Sequence, residues 1–236
     1  MGSGRRYNLP ACRQAAHLTY AAFLRLPQFI VPGITEQQLA WRMGQLLRVQ
    51  GSERRAFPVI AAFGSNAAEP HHKCTSRRLK VGEMIKVDAG AVYRDMRGDV
   101  TRTYFLGKPT DIFIKRFNAV LKAQQLAFKK IQPGVSGNTV DAAARHYLKK
   151  QKLHIHFIHS LGHGVGRAIH QPPFLTSRSQ GKRLLQVGEV VTDEPGVYEA
   201  GWGGIRLEDM VEVTRSGGRW LGKPVKNIRE IIIPTN

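Results

Sequence analysis

Apolar spacing divides the chain into two runs of the same kind. Residues 8–26, N-L-P-A-C-R-Q-A-A-H-L-T-Y-A-A-F-L-R-L, read as an Ala/Leu-rich helix with Pro10 in its first turn. Pro32-Gly33 breaks the chain. Thr35 with Gln38 then forms a capping box opening a second helix, whose apolar positions Leu39, Met43, Leu46 and Leu47 recur at helical spacing before Gly51. A short buried strand is expected over 57–63, and strands over about 83–93 and 99–106, paired as a hairpin turning through Asp95 to Gly98. The order then recurs. A helix over about 112–131 buries Phe117, Val120, Leu121 and Phe128, Pro133-Gly134 breaks it, and a helix over about 138–152 follows. Strands are expected near 154–160, 187–193 and 205–214, with Ile231 to Ile233 as an edge strand or packed tail. Helix, Pro-Gly break, helix, strands, twice over, is an internal duplication of an α+β unit, too large and too few in copies for a solenoid.

The strands repeat in wording as well as in order. Residues 81–90 read V-G-E-M-I-K-V-D-A-G and residues 187–196 read V-G-E-V-V-T-D-E-P-G, a frame that aligns Asp88 with Glu194. Each copy is followed by another acidic strand residue, Asp99 in R-G-D-V-T-R-T and Glu208 in I-R-L-E-D-M-V. Alternation puts Asp99 and Thr101 on one face of their strand, and Arg206 and Glu208 on one face of theirs. Four carboxylates converging in a buried pocket cannot stay ionised without cations, so the pattern points to a metal site. His163, in H-S-L-G-H-G-V-G, adds one imidazole between glycines that admit close backbone approach to an ion or substrate. Five candidate ligands result: Asp88, Asp99, His163, Glu194 and Glu208. Oxygen-rich ligation with one imidazole suits Mn²⁺, Co²⁺, Fe²⁺ or Zn²⁺ and argues against a structural thiolate site. Four carboxylates neutralise two divalent ions.

Composition narrows the picture. At 236 residues with 42% hydrophobic content the chain is long enough for a substantial core, read as one domain over 5–236 with repeats at about 9–110 and 111–220. Residues 1–4 read as a cloning remnant. No apolar run reaches the ~20 residues of a membrane span and no signal peptide is evident, so a cytoplasmic protein with Cys12 and Cys74 as reduced thiols is expected. The formal charge is +19, from 36 Lys/Arg against 17 Asp/Glu. Nine of those bases and a single acid fall between Lys115 and Lys152. Without a nucleic-acid motif or aromatic interleaving, a solvated basic face is the simpler reading than an RNA-binding surface.

The motifs V-D-A-G-A-V-Y, G-D-V-T-R-T-Y, T-D-E-P-G-V-Y and G-G-I-R-L-E-D-M-V-E-V-T resemble those of the pita-bread-fold metallopeptidases, the family of methionine aminopeptidases, Xaa-Pro aminopeptidases, prolidases and creatinase. Their wording is closest to the Xaa-Pro branch, and the match runs from about Ile34 to Thr214. The resemblance implies two pseudo-twofold-related α+β halves with a curved antiparallel sheet enclosing a dinuclear centre. Asp99 and Glu208 would bridge the ions, Asp88 would complete one, and His163 with Glu194 the other. It also implies substrate-side histidines at His71 (in N-A-A-E-P-H-H), His159 and His170, a supporting Arg206, and Glu194 as the group taking the proton of a metal-activated water. His71 or His170 would stabilise the oxyanion, and His159 would line the proline wall or shuttle a proton. The implied substrates are short peptides with an N-terminal Xaa-Pro, and a homo-oligomer is compatible. Two departures stand out: the family's usual N-terminal domain is not in this sequence, and Gln171 occupies a position often acidic. A methionine aminopeptidase and a catalytically silent binding module using the basic surface for RNA or ribosomes are the alternatives.

Overall fold

Local signals start each element of the computed structural model, which describes residues 8–235; the segment read as a cloning remnant lies outside the described residues. Helix α1 (Leu9–Arg25) begins where the Asn8 carboxamide oxygen accepts the Ala11 amide at 3.1 Å. It ends in a 3₁₀ turn, Leu26–Phe29, where Pro27 has no N–H to continue the ladder. Helix α2 (Glu36–Val49) opens with the full capping box, Gln38 N to Thr35 Oγ1 at 3.1 Å and Thr35 N to Gln38 Oε1 at 2.9 Å. It buries the four expected apolar residues and stops at Gly51, whose φ of +98° suits glycine. Strands β1 (Ile60–Phe63), β2 (Met84–Ala89), the short β3 (Val92–Tyr93) and β4 (Met96–Arg97), and β5 (Val100–Leu106) complete the first half. The second half runs α3 (Asp111–Phe128), α4 (Gly137–Lys150), β6 (Gly162–Gly164), β7 (Gln171–Leu175), β8 (Val190–Asp193), β9 (Gly196–Glu199), β10 (Gly203–Arg206), β11 (Asp209–Thr214) and β12 (Gly217–Trp220). The C-terminal β13 (Ile232–Ile233) adds parallel to the edge of β5.

The halves form two main sheets, ordered β1-β2-β5-β13 and β12-β11-β8-β6-β7, antiparallel except at β13. They meet at an isolated bridge between Thr101 and Glu208, where the Glu208 amide donates to the Thr101 carbonyl at 3.1 Å. Arg102 reinforces that seam, donating to the Glu208 carbonyl at 2.8 Å and pairing with buried Asp209 at 2.7 Å. Cys12 is buried and Cys74 half-buried.

Three expectations required correction. The hairpin after β2 turns at Arg94 and Asp95, both with positive φ (46° and 66°), rather than through Asp95 to Gly98. Residues 154–160 are not a strand. Lys152 adopts φ +58°, the Leu153 amide closes on the Leu148 carbonyl, and His154–His156 curl into a 3₁₀ turn. The His/Ile alternation there reflects a loop that buries Phe157 under Arg145 while leaving Ile155 68% and Ile158 62% exposed. The single strand expected over 205–214 is two. Glu208 gives its amide to Thr101 across the seam, so β10 pairs with β9 and β11 with β8.

Candidate metal centre

The five candidate ligands sit at strand ends around the seam. Asp88 lies in β2 opposite Thr101, Asp99 just precedes β5, His163 is central in β6, Glu194 just follows β8, and Glu208 stands between β10 and β11. Asp99, His163 and Glu208 each present a ligand atom within 4.8 Å of the other two. His163 Nε2 is 3.2 Å from Glu194 Oε1 and 3.8 Å from Asp99 Oδ2. Its Nδ1 is 3.2 Å from the Gly164 carbonyl, an obligate acceptor, which holds a proton on Nδ1 and turns Nε2 toward the cluster. The flanking glycines serve packing rather than ligand approach. A Cβ on Gly162 would stand 2.1 Å from the Thr192 carbonyl oxygen, and one on Gly164 2.5 Å from that of Pro172.

Arg206 organises the acids. Its guanidinium donates to Asp88 Oδ2 at 2.6 Å and to Thr101 Oγ1 at 2.9 Å, and lies 3.8 Å from Glu208 Oε2. The Thr101 hydroxyl, accepting from Arg206, donates to Glu208 Oε2 at 2.5 Å. Thr192 holds Glu194 in the same way, at 3.1 Å.

One cation cannot balance four acids. Burial raises the Asp88 carboxyl, the Arg206 charge opposing and the Glu194 charge adding to the shift. Burial first, then neighbouring carboxylates, pushes Asp99 and Glu208 well above the usual range. Glu194 is the exception. Burial raises it, but the His163 hydrogen bond and charge, His159 and Arg206 outweigh that and lower it to about 2. Asp88 Oδ1 is buried with no hydrogen-bond partner among the described residues. An orphaned carboxylate oxygen beside acids driven toward protonation is what a cation site looks like without its charge, and the donor set fits divalent metal.

The cluster forms the floor of a cavity of about 850 Å³ whose walls include Trp41, Phe57, Ile60, Ile169 and Phe174. His71 and His170 are exposed on its rim, the His170 ring edge-on to His163 with centroids 4.4 Å apart. Burial, then His163, lowers the His170 pKa.

A model of metallopeptidase family M24 matches residues 10–215. The chain belongs to that family. It is 33% identical over 215 residues to an Xaa-Pro dipeptidase of Pyrococcus furiosus, covering 91% of this chain and 61% of the relative. It is 36% identical over 210 residues to a probable dipeptidase, PepE, of Mycobacterium tuberculosis, covering 89% and 55%. Among solved structures, dipeptidase PepE from Mycobacterium ulcerans superposes with a TM-score of 0.92 at 33% identity, covering 96% of this chain and 60% of that one. An X-Pro aminopeptidase from Thermotoga maritima gives 0.90 at 32%, covering 96% and 63%. The fold is therefore the pita-bread fold, and the chain spans about three-fifths of the length of the curated relatives it matches. Family M24 membership implies divalent metal, and the Asp99, His163 and Glu208 cluster is the candidate site for it. No helix among the described residues is long and apolar enough to cross a membrane.

Three residues of this M24 chain escaped the sequence reading. Tyr198 OH accepts from Arg206 at 3.2 Å and lies 3.0 Å from His159 Nε2, while His159 Nδ1 sits 2.7 Å from the Ser160 carbonyl. The carbonyl fixes the proton on Nδ1, so His159 accepts from Tyr198; burial, set against Glu194, lowers it to about 4 and keeps it neutral. Alternation from Glu194 through Gly196 to Tyr198 was the available signal. Asp193 is buried beside Asp209, both its oxygens unpartnered among the described residues, and burial pushes it well above the usual range. Glu36 is buried at the start of α2. It accepts from Phe63 N, Asn66 Nδ2, Thr75 N and Thr75 Oγ1 at 2.6–2.9 Å, with His72 Nε2 at 2.8 Å. His72 is thus a structural clamp for the loop that carries His71.

Proposed function

We propose that the chain is the catalytic part of a metal-dependent peptidase that hydrolyses the bond between an N-terminal residue and a following proline. The observation that carries the reading is the convergence of Asp99, His163 and Glu208 within 4.8 Å, with Glu194 against the same imidazole, on the floor of a cavity open to solvent. Asp88, Asp99, His163, Glu194 and Glu208 would hold two divalent ions, Mn²⁺ or Co²⁺ suiting an oxygen-rich set, with Zn²⁺ or Fe²⁺ as alternatives. When bound, such ions act as Lewis acids and lower the pKa of water so that hydroxide forms near neutral pH.

The remaining work falls to side chains. Glu194, ionised and oriented by Thr192, is the proton acceptor. His71 and His170, at the rim, are the donors available to a carbonyl oxygen above the cluster. Arg206, committed to Asp88, Thr101 and Tyr198, fixes carboxylate geometry rather than reaching for substrate. His159, neutral and already accepting from Tyr198, lines the wall instead of shuttling protons. Proline at the second position is compatible with the apolar walls and asks for no acceptor for an amide N–H, since the imide has none. The Xaa-Pro dipeptidase and X-Pro aminopeptidase among the similar proteins support this substrate class.

The test is hydrolysis of Ala-Pro, Ala-Pro-Ala and Met-Ala-Ser by metal-loaded protein, with products identified by mass. Cleavage after the first alanine, absent in chelator and in Glu194→Ala, is expected. Preference for Met-Ala-Ser would instead mark a methionine aminopeptidase, and no turnover with either metal would leave a binding module.

A further inference from the structure

The cavity rim is cationic, and one of its guanidinium groups has no partner among the described residues. Arg55 lines the same cavity as the metal cluster, is exposed, and makes no side-chain hydrogen bond or ion pair with any described residue. Its neighbours are occupied. Arg54 lies 3.8 Å from Glu53 and 3.7 Å from Asp95, Arg97 donates to the Ala56 carbonyl, and Arg206 is bound on three sides. The four carboxylates of the cavity all belong to the buried floor, so no acid on the rim answers Arg55. Its stem is seated rather than loose: a Cβ on Gly44 of α2 would touch Arg55 Cδ at 3.5 Å, and Trp41, 55% exposed one turn earlier, lines the same wall.

Register gives the distance from the floor. Arg55 bridges Ala91, three residues beyond Asp88, so its backbone stands within about 11 Å of that ligand's, at ~3.3 Å per residue along the chain and ~4.8 Å across the bridge. An extended peptide advances ~3.3–3.6 Å per residue, so with its amine at the floor the carboxylate of the third residue arrives at about 10 Å, and that of a dipeptide at about 7 Å. A planar fork of donors suits a carboxylate at that point.

We infer that Arg55 recognises the C-terminal carboxylate of a three-residue substrate and biases the enzyme toward Xaa-Pro-Yaa with a free acid end. The inference rests on the peptidase reading above. It is tested by kcat and KM for Ala-Pro-Ala and its C-terminal amide with Mn²⁺-loaded wild type, Arg55→Gln, Arg55→Lys and Lys73→Gln. The wild type is expected to favour the free acid by about five- to tenfold, carried in KM, as a charge-assisted contact at an exposed rim allows. Arg55→Gln should bring the acid-to-amide ratio close to one. Arg55→Lys should retain part of it, and Lys73→Gln should leave it in place. Equal turnover of acid and amide by the wild type overturns the inference alone. So does an Arg55→Gln variant that keeps the ratio, or transfer of the effect to Lys73→Gln. A wild type that cleaves neither peptide overturns the peptidase reading and this inference together.

Discussion

Replacing Asp99 by asparagine should stabilise the metal-free protein and weaken the metal-loaded one. Asp99 and Glu208 present oxygens within 4.8 Å of each other in a buried site. Two ionised carboxylates at that separation repel by about 3 kcal/mol at an effective dielectric of 20. Partial protonation relieves some of this, so neutralising Asp99 should return about 1–3 kcal/mol in chelator, raising Tm by about 2–12 °C for a chain of this length. The pH dependence follows from sign. Burial and then Glu208 raise the folded-state pKa of Asp99 above its unfolded value. The stability linked to its protonation is therefore full below pH ~4 and lost as pH rises through the folded value, a loss the asparagine variant does not share. With Mn²⁺ at a hundred times its Kd the wild type gains about 2.7 kcal/mol, or about 5–11 °C, and the variant should lose most of that gain. Differential scanning calorimetry with and without metal from pH 5 to 8 reads both effects. A variant less stable than wild type in chelator, or one showing the full metal-induced shift, would refute the reasoning.

Two further outcomes concern the scaffold. Burial raises the Glu36 carboxyl, but the Thr75 hydroxyl, His72 and the Phe63 and Thr75 amides outweigh it, leaving a net lowered pKa. The stability Glu36 confers is thus complete above its unfolded pKa of ~4.3 and lost as pH falls through the lowered folded value. Glu36→Gln, which turns an acceptor into a donor facing donors, should lose about 2–4 kcal/mol at pH 7 by urea titration and flatten the acid limb. Arg102→Leu leaves Asp209 buried with Tyr20 and Gln124 but no cation, and should lose about 3–5 kcal/mol in the same assay.

Much was decided within a few residues along the chain. The α1 and α2 boundaries follow from Asn8, from the Thr35 and Gln38 pair and from Gly51, because capping and left-handed backbone are local. The candidate ligands were legible because the duplicated frame marks Asp88 against Glu194, and burying several acids together demands cations. The contacts that tune them were not legible. Glu208 bonds Thr101 across 107 residues, Arg206 reaches Asp88 across 118, and Tyr198 meets His159 across 39. Residues 154–160 looked like a strand because alternation in the sequence alone cannot tell a sheet edge from a loop that buries Phe157 and leaves Ile155 and Ile158 exposed. Composition and spacing named the candidate ligands; the meeting of two sheets at Thr101 and Glu208 set which acids lie close, which stays ionised and which proton His159 keeps. Charge interactions depend on separation and burial in space, and neither is a property of position along a chain.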